Sequence, residues 1–345
     1  MRELFERLRA LFALLFALAA APAAQAADHL RLTVLSGGAF SWELAIVKAY
    51  GLDIEADLAL DVTELASTEA GKIALIGGSA DMILSDWLWA ARERGLGHKL
   101  TFYPHSSTLG AVMAKAGLKL DSPADFVGRK LGVAGGPLDK SWLMLQAWAL
   151  GQGIDLKTRT TLVFGAPPLL AEKLAQGEID AVLEFWTYCA VLEGRGFGRA
   201  IDMAEVERQL GAQGPISVGG YVMDESFALA HPDVLERFLK ITRKAKDMIA
   251  RDDEAFAKVA PLIDAKDPAT LAIYRHRYAE GIPTRSIAAE EADAAGIYQV
   301  LAKLGGEQLV GSAQTLDPGV FYRGPAGVDV SHDNAAKAPN VLAKP

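Results

Sequence analysis

One local pattern recurs along this chain and limits what it can fold into: a short apolar run, a turn rich in glycine or serine, then a helix-like segment. It is clearest at Leu131-Gly132-Val133-Ala134-Gly135-Gly136-Pro137-Leu138-Asp139-Lys140-Ser141-Trp142, which reads as a buried strand, a glycine turn and the start of a helix running to about residue 150. The two glycines permit close approach to the backbone, and Asp139 is placed to N-cap the helix. The free N–H groups of such a helix start suit a polar or anionic ligand group. An ordinary capped strand–helix connection is the competing reading.

The same pattern opens at residues 30–35, where Arg31 and Thr33 alternate with Leu32 and Val34 before Ser36-Gly37-Gly38-Ala39-Phe40 and a helix over 41–50. A strand at 58–65 precedes a helix at 67–76, and the short apolar run 81–84 ends at Ser85-Asp86-Trp87. A strand at 100–104 leads to His105-Ser106-Ser107. After an extended stretch at 111–114 the pattern restarts at Leu131. It continues through a strand at 161–164, a helix at 167–175 and a buried strand at 179–183, closing on Glu184-Phe185-Trp186. Strands alternating with helices predict an α/β fold of mostly parallel sheets flanked by helices, with ligands beyond the carboxyl ends of the strands. The amphipathic segments 233–251, 253–263 and 268–278 are expected to cover the outside of a sheet.

At 345 residues the chain can build two domains with separate cores. A net charge of −8 argues against nucleic acid, which calls for a basic face. Six tryptophans exceed what packing needs, and the single Cys189 leaves no internal disulfide and no cysteine-rich metal site. Arg2, Arg7 and Arg9, an apolar run over 11–21 and Ala24-Gln25-Ala26 form the pattern of a secretory signal peptide over 1–26, although Glu3 and Glu6 are atypical in it. The apolar run is short for a membrane span and no cysteine follows the cut to carry a lipid, so the expectation is an exported, periplasmic chain without stable membrane insertion after cleavage. An uncleaved anchor is the alternative. The 326–345 tail has few apolar residues and is expected to be disordered.

Four phrases line up in order: Ala74-Leu75-Ile76-Gly77-Gly78-Ser79-Ala80-Asp81, Ser122-Pro123-Ala124-Asp125-Phe126-Val127-Gly128-Arg129-Lys130-Leu131-Gly132-Val133, Glu172-Lys173-Leu174-Ala175-Gln176-Gly177-Glu178-Ile179-Asp180-Ala181-Val182, and His231-Pro232-Asp233-Val234-Leu235. Over about residues 30–325 the chain resembles the periplasmic substrate-binding proteins of nitrate, taurine, alkanesulfonate and thiamine-precursor ABC importers. The resemblance implies a type II-like periplasmic binding-protein fold: one α/β lobe from 28–110 plus 218–325, a second from 111–217, closing at hinges near 107–111 and 215–220 over one small solute. It implies a small-molecule ligand, a membrane permease and its ATPase subunit as partners, no cofactor and no enzymatic activity. The rival is an enzyme on the same scaffold making a vitamin or quinone precursor.

In that family the ligand groups come from strand-end turns facing the cleft. By position these are Ser36, Gly37 and Gly38 with Phe40 and Trp42; Ser85, Asp86 and Trp87; His105 and Ser106; Gly135 and Gly136 with Asp139 and Ser141; and Glu184 with Trp186. The set holds no arginine. It holds three carboxylates, Asp86, Asp139 and Glu184, beside aromatic faces at Trp42, Trp87 and Trp186, which favours an aromatic amine, a pyrimidine or a cation over a sulfonate or nitrate. Oxygen ligation of a cation or chelated metal is a further use of the same groups. Asp86 and Asp139 have an alternative as helix N-caps, and His105 as a structural, hydrogen-bonded histidine. Glu184 directly follows a buried strand, where an unpaired carboxylate is costly. Trp89, Trp142 and Trp148, inside helices, read as core.

Overall fold

A computed structural model describes residues 27–35, 38–65, 67–265 and 267–324. The expected signal peptide, the expected tail, Ser36 and Gly37 lie outside the described residues. Ten strands form among the described residues: β1 (Asp28–Leu35), β2 (Leu58–Leu65), β3 (Met82–Asp86), β4 (Leu100–Ser106), β5 (Ala111–Lys115), β6 (Lys130–Ala134), β7 (Thr161–Gly165), β8 (Ala181–Glu184), β9 (Phe197–Asp202) and β10 (Gly219–Asp224). They make two five-stranded sheets with the same plan, β2-β1-β3-β10-β4 and β7-β6-β8-β5-β9.

In the first sheet β1 pairs in parallel with β2 and β3, while β10 runs antiparallel to both β3 and β4. Four strands therefore share one direction and only β10 is reversed. The second sheet repeats this with β5 as its reversed strand, antiparallel to β8 and β9. Each reversed strand is the first that the chain forms after crossing from the other sheet, through residues 107–110 before β5 and 215–218 before β10, neither of which has regular structure. Each sheet with its helices forms one lobe of a two-lobed α/β fold.

Strand alternation sorts side chains between layers. Leu30, Leu32 and Val34 of β1, with Tyr221 and Met223 of β10, pack under helices Ala39–Ala49 and Pro232–Arg251. Val222 faces the opposite way, into a cluster that also takes Ile83, Phe102, Val112, Val133 and Leu183. Helices Trp87–Gly95, Lys140–Gly151 and Ile287–Val310 contribute Trp87, Trp142 and Tyr298 to that cluster, so one apolar mass joins faces of both sheets. Ala111, Met113 and Val182 cover the far face of the second sheet with Leu170, Leu174 and the free, buried Cys189. Helix starts follow side-chain chemistry: Ser67, Asp86, Asp139 and Asp267 each accept a hydrogen bond from a backbone N–H three residues on.

Two expected outer covers do more than cover. Helix Pro232–Arg251 packs on helix Ala39–Ala49 and reaches inward with Lys246. Helix Pro268–Glu280 packs against helix Trp186–Gly194 of the other lobe. Both elements border the site.

Candidate ligand-binding site

At the strand ends the two lobes enclose a cavity of about 260 Å³. The first lobe lines it with Gly38, Leu84, His105 and Ser106, the second with Trp186 and Thr187, and the connecting segment with Thr108. Lys246, Tyr278 and Ile282 complete the wall.

The polar end is built on a residue that does not line the cavity. Glu43 lies on the buried face of helix Ala39–Ala49 among Phe40, Trp42, Ile46 and Val47, and is fully buried. Its carboxylate accepts from Lys246 Nζ at 2.6 Å, from the Tyr278 hydroxyl at 2.8 Å and from the Tyr221 hydroxyl at 3.3 Å. His105 Nε2 lies 2.9 Å from one of its oxygens and 3.1 Å from the other. Burial pushes the Glu43 carboxyl up, but His105 and Lys246 outweigh it and hold the group at about 2. Burial lowers both His105 and Lys246 from their ordinary values, against the pull of Glu43. Burial, reinforced by Glu43, raises the Tyr221 and Tyr278 hydroxyls well above 10. At neutral pH Glu43 is ionised, its 2.6 Å contact with Lys246 Nζ favours the ammonium form of that amine, and burial favours the uncharged form of His105. With Nε2–H donating to Glu43, His105 Nδ1 has no hydrogen-bond partner among the described residues.

The other end is aromatic and spans the cleft. Trp186, at the start of helix Trp186–Gly194, meets Trp42 edge-on at 6.2 Å and Tyr274 at 5.8 Å, both from the first lobe. Two ion pairs also cross between lobes. Lys140 Nζ stands 3.1 Å from Asp86, and the Arg277 guanidinium binds Glu193 at 2.6 Å, with Arg199 on the same carboxylate at 3.0 Å.

Of the residues singled out from sequence, Gly38, His105, Ser106 and Trp186 line this cavity. Phe40 and Trp42 stand behind it, Phe40 against the His105 ring at 5.8 Å and Trp42 against Tyr278 at 5.8 Å. The three carboxylates are not gathered as free charges. Asp86 caps its helix through Trp89 N at 2.8 Å and is neutralised by Lys140. Its carboxyl is raised by burial, but Lys140 reverses this and leaves it below its ordinary value. Asp139 caps its helix through Trp142 N at 3.0 Å, and burial raises its carboxyl. Gly135 and Gly136, at φ 85° and 105°, fold the preceding turn over that cap, and Ser141 lies in the first helical turn beyond it. Glu184 is 1% exposed with neither carboxyl oxygen partnered among the described residues, and burial pushes it to about 8. Trp87 corrects the expectation of a site aromatic: it is 1% exposed and packs on Tyr298 in the core. Ser85 pairs with Gly220 in the sheet and does not line the cavity.

Sequence reading passed over Glu43, Lys246 and Tyr278. A signal was present. Lys246 falls on the stripe 235, 239, 242, 246, 249, where the spacing calls for an apolar residue, and Glu43 sits between Trp42 and Leu44 on a helix face whose other buried residues are all apolar.

Residues 51–255, more than half of the chain, match the family model described as NMT1/THI5 like. The chain belongs to the NMT1/THI5-like family. No curated protein matches this NMT1/THI5-like chain. Among solved structures it is similar to the periplasmic aliphatic sulphonate binding protein SsuA from Escherichia coli, with TM-score 0.65 and 17% identity over 84% of this chain and 95% of that one. It is also similar to the alkanesulfonate-binding protein SsuA from Xanthomonas axonopodis pv. citri bound to MOPS, with TM-score 0.61 and 15% identity over 86% and 98%. A third similar structure is a DSZB mutant in complex with biphenyl-2-sulfinic acid, with TM-score 0.57 and 15% identity over 85% and 96%. At these identities the likeness speaks to the fold.

Proposed function

We propose that this chain is the periplasmic solute-binding component of an ABC importer. It captures one small organic solute by closing two lobes, 28–110 with 218–324 and 111–217, and delivers it to a membrane permease driven by an ATPase subunit. The observation that carries this reading is a cavity whose wall is divided between the lobes, with the lobes joined by the Trp42–Trp186, Asp86–Lys140 and Glu193–Arg277 contacts. Contacts available only when the lobes meet couple closure to occupancy, which is what a capture protein requires. The chain binds without chemistry of its own. Gly38, His105, Ser106, Thr108, Trp186, Thr187, Lys246 and Tyr278 are the contacts we assign, with Ser36 and Gly37 beside them in sequence.

Two observations bear on the solute. Lys246 and His105 in the wall, with Asp86 and Asp139 otherwise engaged, support an acidic organic solute, in keeping with the sulfonate-binding names of two of the similar structures. Glu184, the carboxylate expected to hold an aromatic amine or pyrimidine, is unpartnered among the described residues but 1% exposed and outside the cavity lining, so it lends that solute class no contact here.

The test is a thermal-shift screen of the purified protein against alkane- and arylsulfonates, aminopyrimidines, organic amines and metal ions. A solute at about a hundred times its Kd adds about 2.7 kcal/mol and raises the melting temperature by several degrees. Stabilisation by one class with no turnover of the bound compound by NMR supports the binder. Turnover would replace it with an enzyme on this scaffold, and no stabilisation by any class would overturn it.

A further inference from the structure

The Glu43 cluster is charge-balanced before any solute arrives, and that restricts what the cavity can accept. Glu43 is satisfied by Lys246, Tyr278, Tyr221 and His105, and only one of the three ammonium N–H groups is needed for it. An acidic head beside Lys246 would add a negative charge to a neutral, desolvated group of side chains, which is costly unless a positive charge joins it. The titratable groups around His105 are Glu43 on helix Ala39–Ala49, Tyr221 on β10 and Lys246 on helix Pro232–Arg251, with Tyr278 on the same carboxylate. Arg243 and Asp247, flanking Lys246 on its helix, pair with each other at 3.5 Å. His105 is 2% exposed, lines the cavity, and has its Nδ1 unpartnered. It is the group in this wall able to add the missing charge.

Resting on the binding-protein reading above, we propose that this end of the cavity is a proton-coupled oxyanion subsite. A carboxylate or sulfonate head accepts from Lys246 Nζ and from His105 Nδ1–H, and His105 takes that proton from solvent as the solute binds while its Nε2–H stays on Glu43. Above the pH at which the free imidazole loses its proton, affinity for an acidic solute falls about tenfold per pH unit.

The experiment titrates the protein with methanesulfonate, benzenesulfonate and benzoate, in amine buffers because sulfonate buffers would compete. Affinity is read by tryptophan fluorescence from pH 6 to 8.5, and proton uptake by an indicator dye in weakly buffered solution. The expected result is close to one proton taken up per solute at pH 7.5, a tenfold loss of affinity per unit, and loss of both in His105→Gln. Binding of these acids with no proton uptake by the unmodified protein would overturn the subsite and leave the binding-protein reading standing, as would binding only of neutral or cationic solutes. Failure of every solute class to bind would remove the underlying reading itself. The unmodified protein decides the matter even if the variant does not fold.

Discussion

At the scale of single residues, buried charge sets the largest expected effects. Glu43→Gln keeps the shape of the side chain but leaves Lys246, 6% exposed at its side chain, without a counter-charge. Breaking such a pair costs about 3–5 kcal/mol, measurable by urea unfolding, and adding Lys246→Met should recover much of the loss. The pH dependence divides by carboxylate. Glu43 sits at about 2 against an ordinary 4.5, so its stabilisation is complete above 4.5 and is lost as pH falls toward 2. Glu184 and Glu207 are raised by burial to about 8, so between 4.5 and 8 the unfolded chain holds fewer protons there and stability falls as pH rises. Without solute, Glu184→Gln should therefore melt at a higher temperature than the unmodified protein, with a gap that widens from pH 5 to pH 8. A constant gap would mean the acid is already ionised.

At the scale of elements, the close packing of helices Trp186–Gly194 and Pro268–Glu280 depends on one missing side chain. A Cβ on Gly194 would stand 2.1 Å from Thr270 Oγ1, and that hydroxyl is held at 2.7 Å by Asp267. Gly194→Ala should part these helices at a cost of about 1–3 kcal/mol and weaken solute binding, read by urea unfolding and fluorescence titration. Elements with apolar runs or clean caps were readable along the chain: helix Thr68–Ile76 behind Ser67, and helix Pro167–Gln176 ended by Gly177 in the left-handed region. Helix Ile287–Val310 was not read, because its buried stripe of Ile287, Glu290, Ala294, Ile297 and Leu301 uses a glutamate and an alanine where large apolar residues are expected. β9 was missed because Arg199 interrupts it. That arginine is accommodated in the strand by Glu193 and Asp202, one of them on a neighbouring helix.

For the whole molecule, the lobes meet through an apolar mass shared by both sheets, through the packing of helices Trp186–Gly194 and Pro268–Glu280, and through a small set of ion pairs. Lys140→Ala removes the partner of Asp86 across the cleft, in a pair whose side chains are 30% and 21% exposed. A loss of about 1 kcal/mol is expected, about a fivefold shift toward the open form, seen as a larger radius of gyration in solution scattering without solute and a smaller one once solute is added. An unchanged radius would place the closing energy in the apolar and aromatic contacts between lobes and in the Glu193–Arg277 pair instead.

Most of the chain's strands and helices, and the starts of its capped helices, were determined by the sequence itself, because apolar period and capping chemistry depend on neighbours a few residues away. Which charges remain available to a solute was decided only by the tertiary structure. Asp86 is answered by a lysine 54 positions on, and Glu43 by one 203 positions on. A carboxylate counted as free along the chain is therefore neutralised in the fold, since Coulomb attraction acts through space and takes no account of sequence separation.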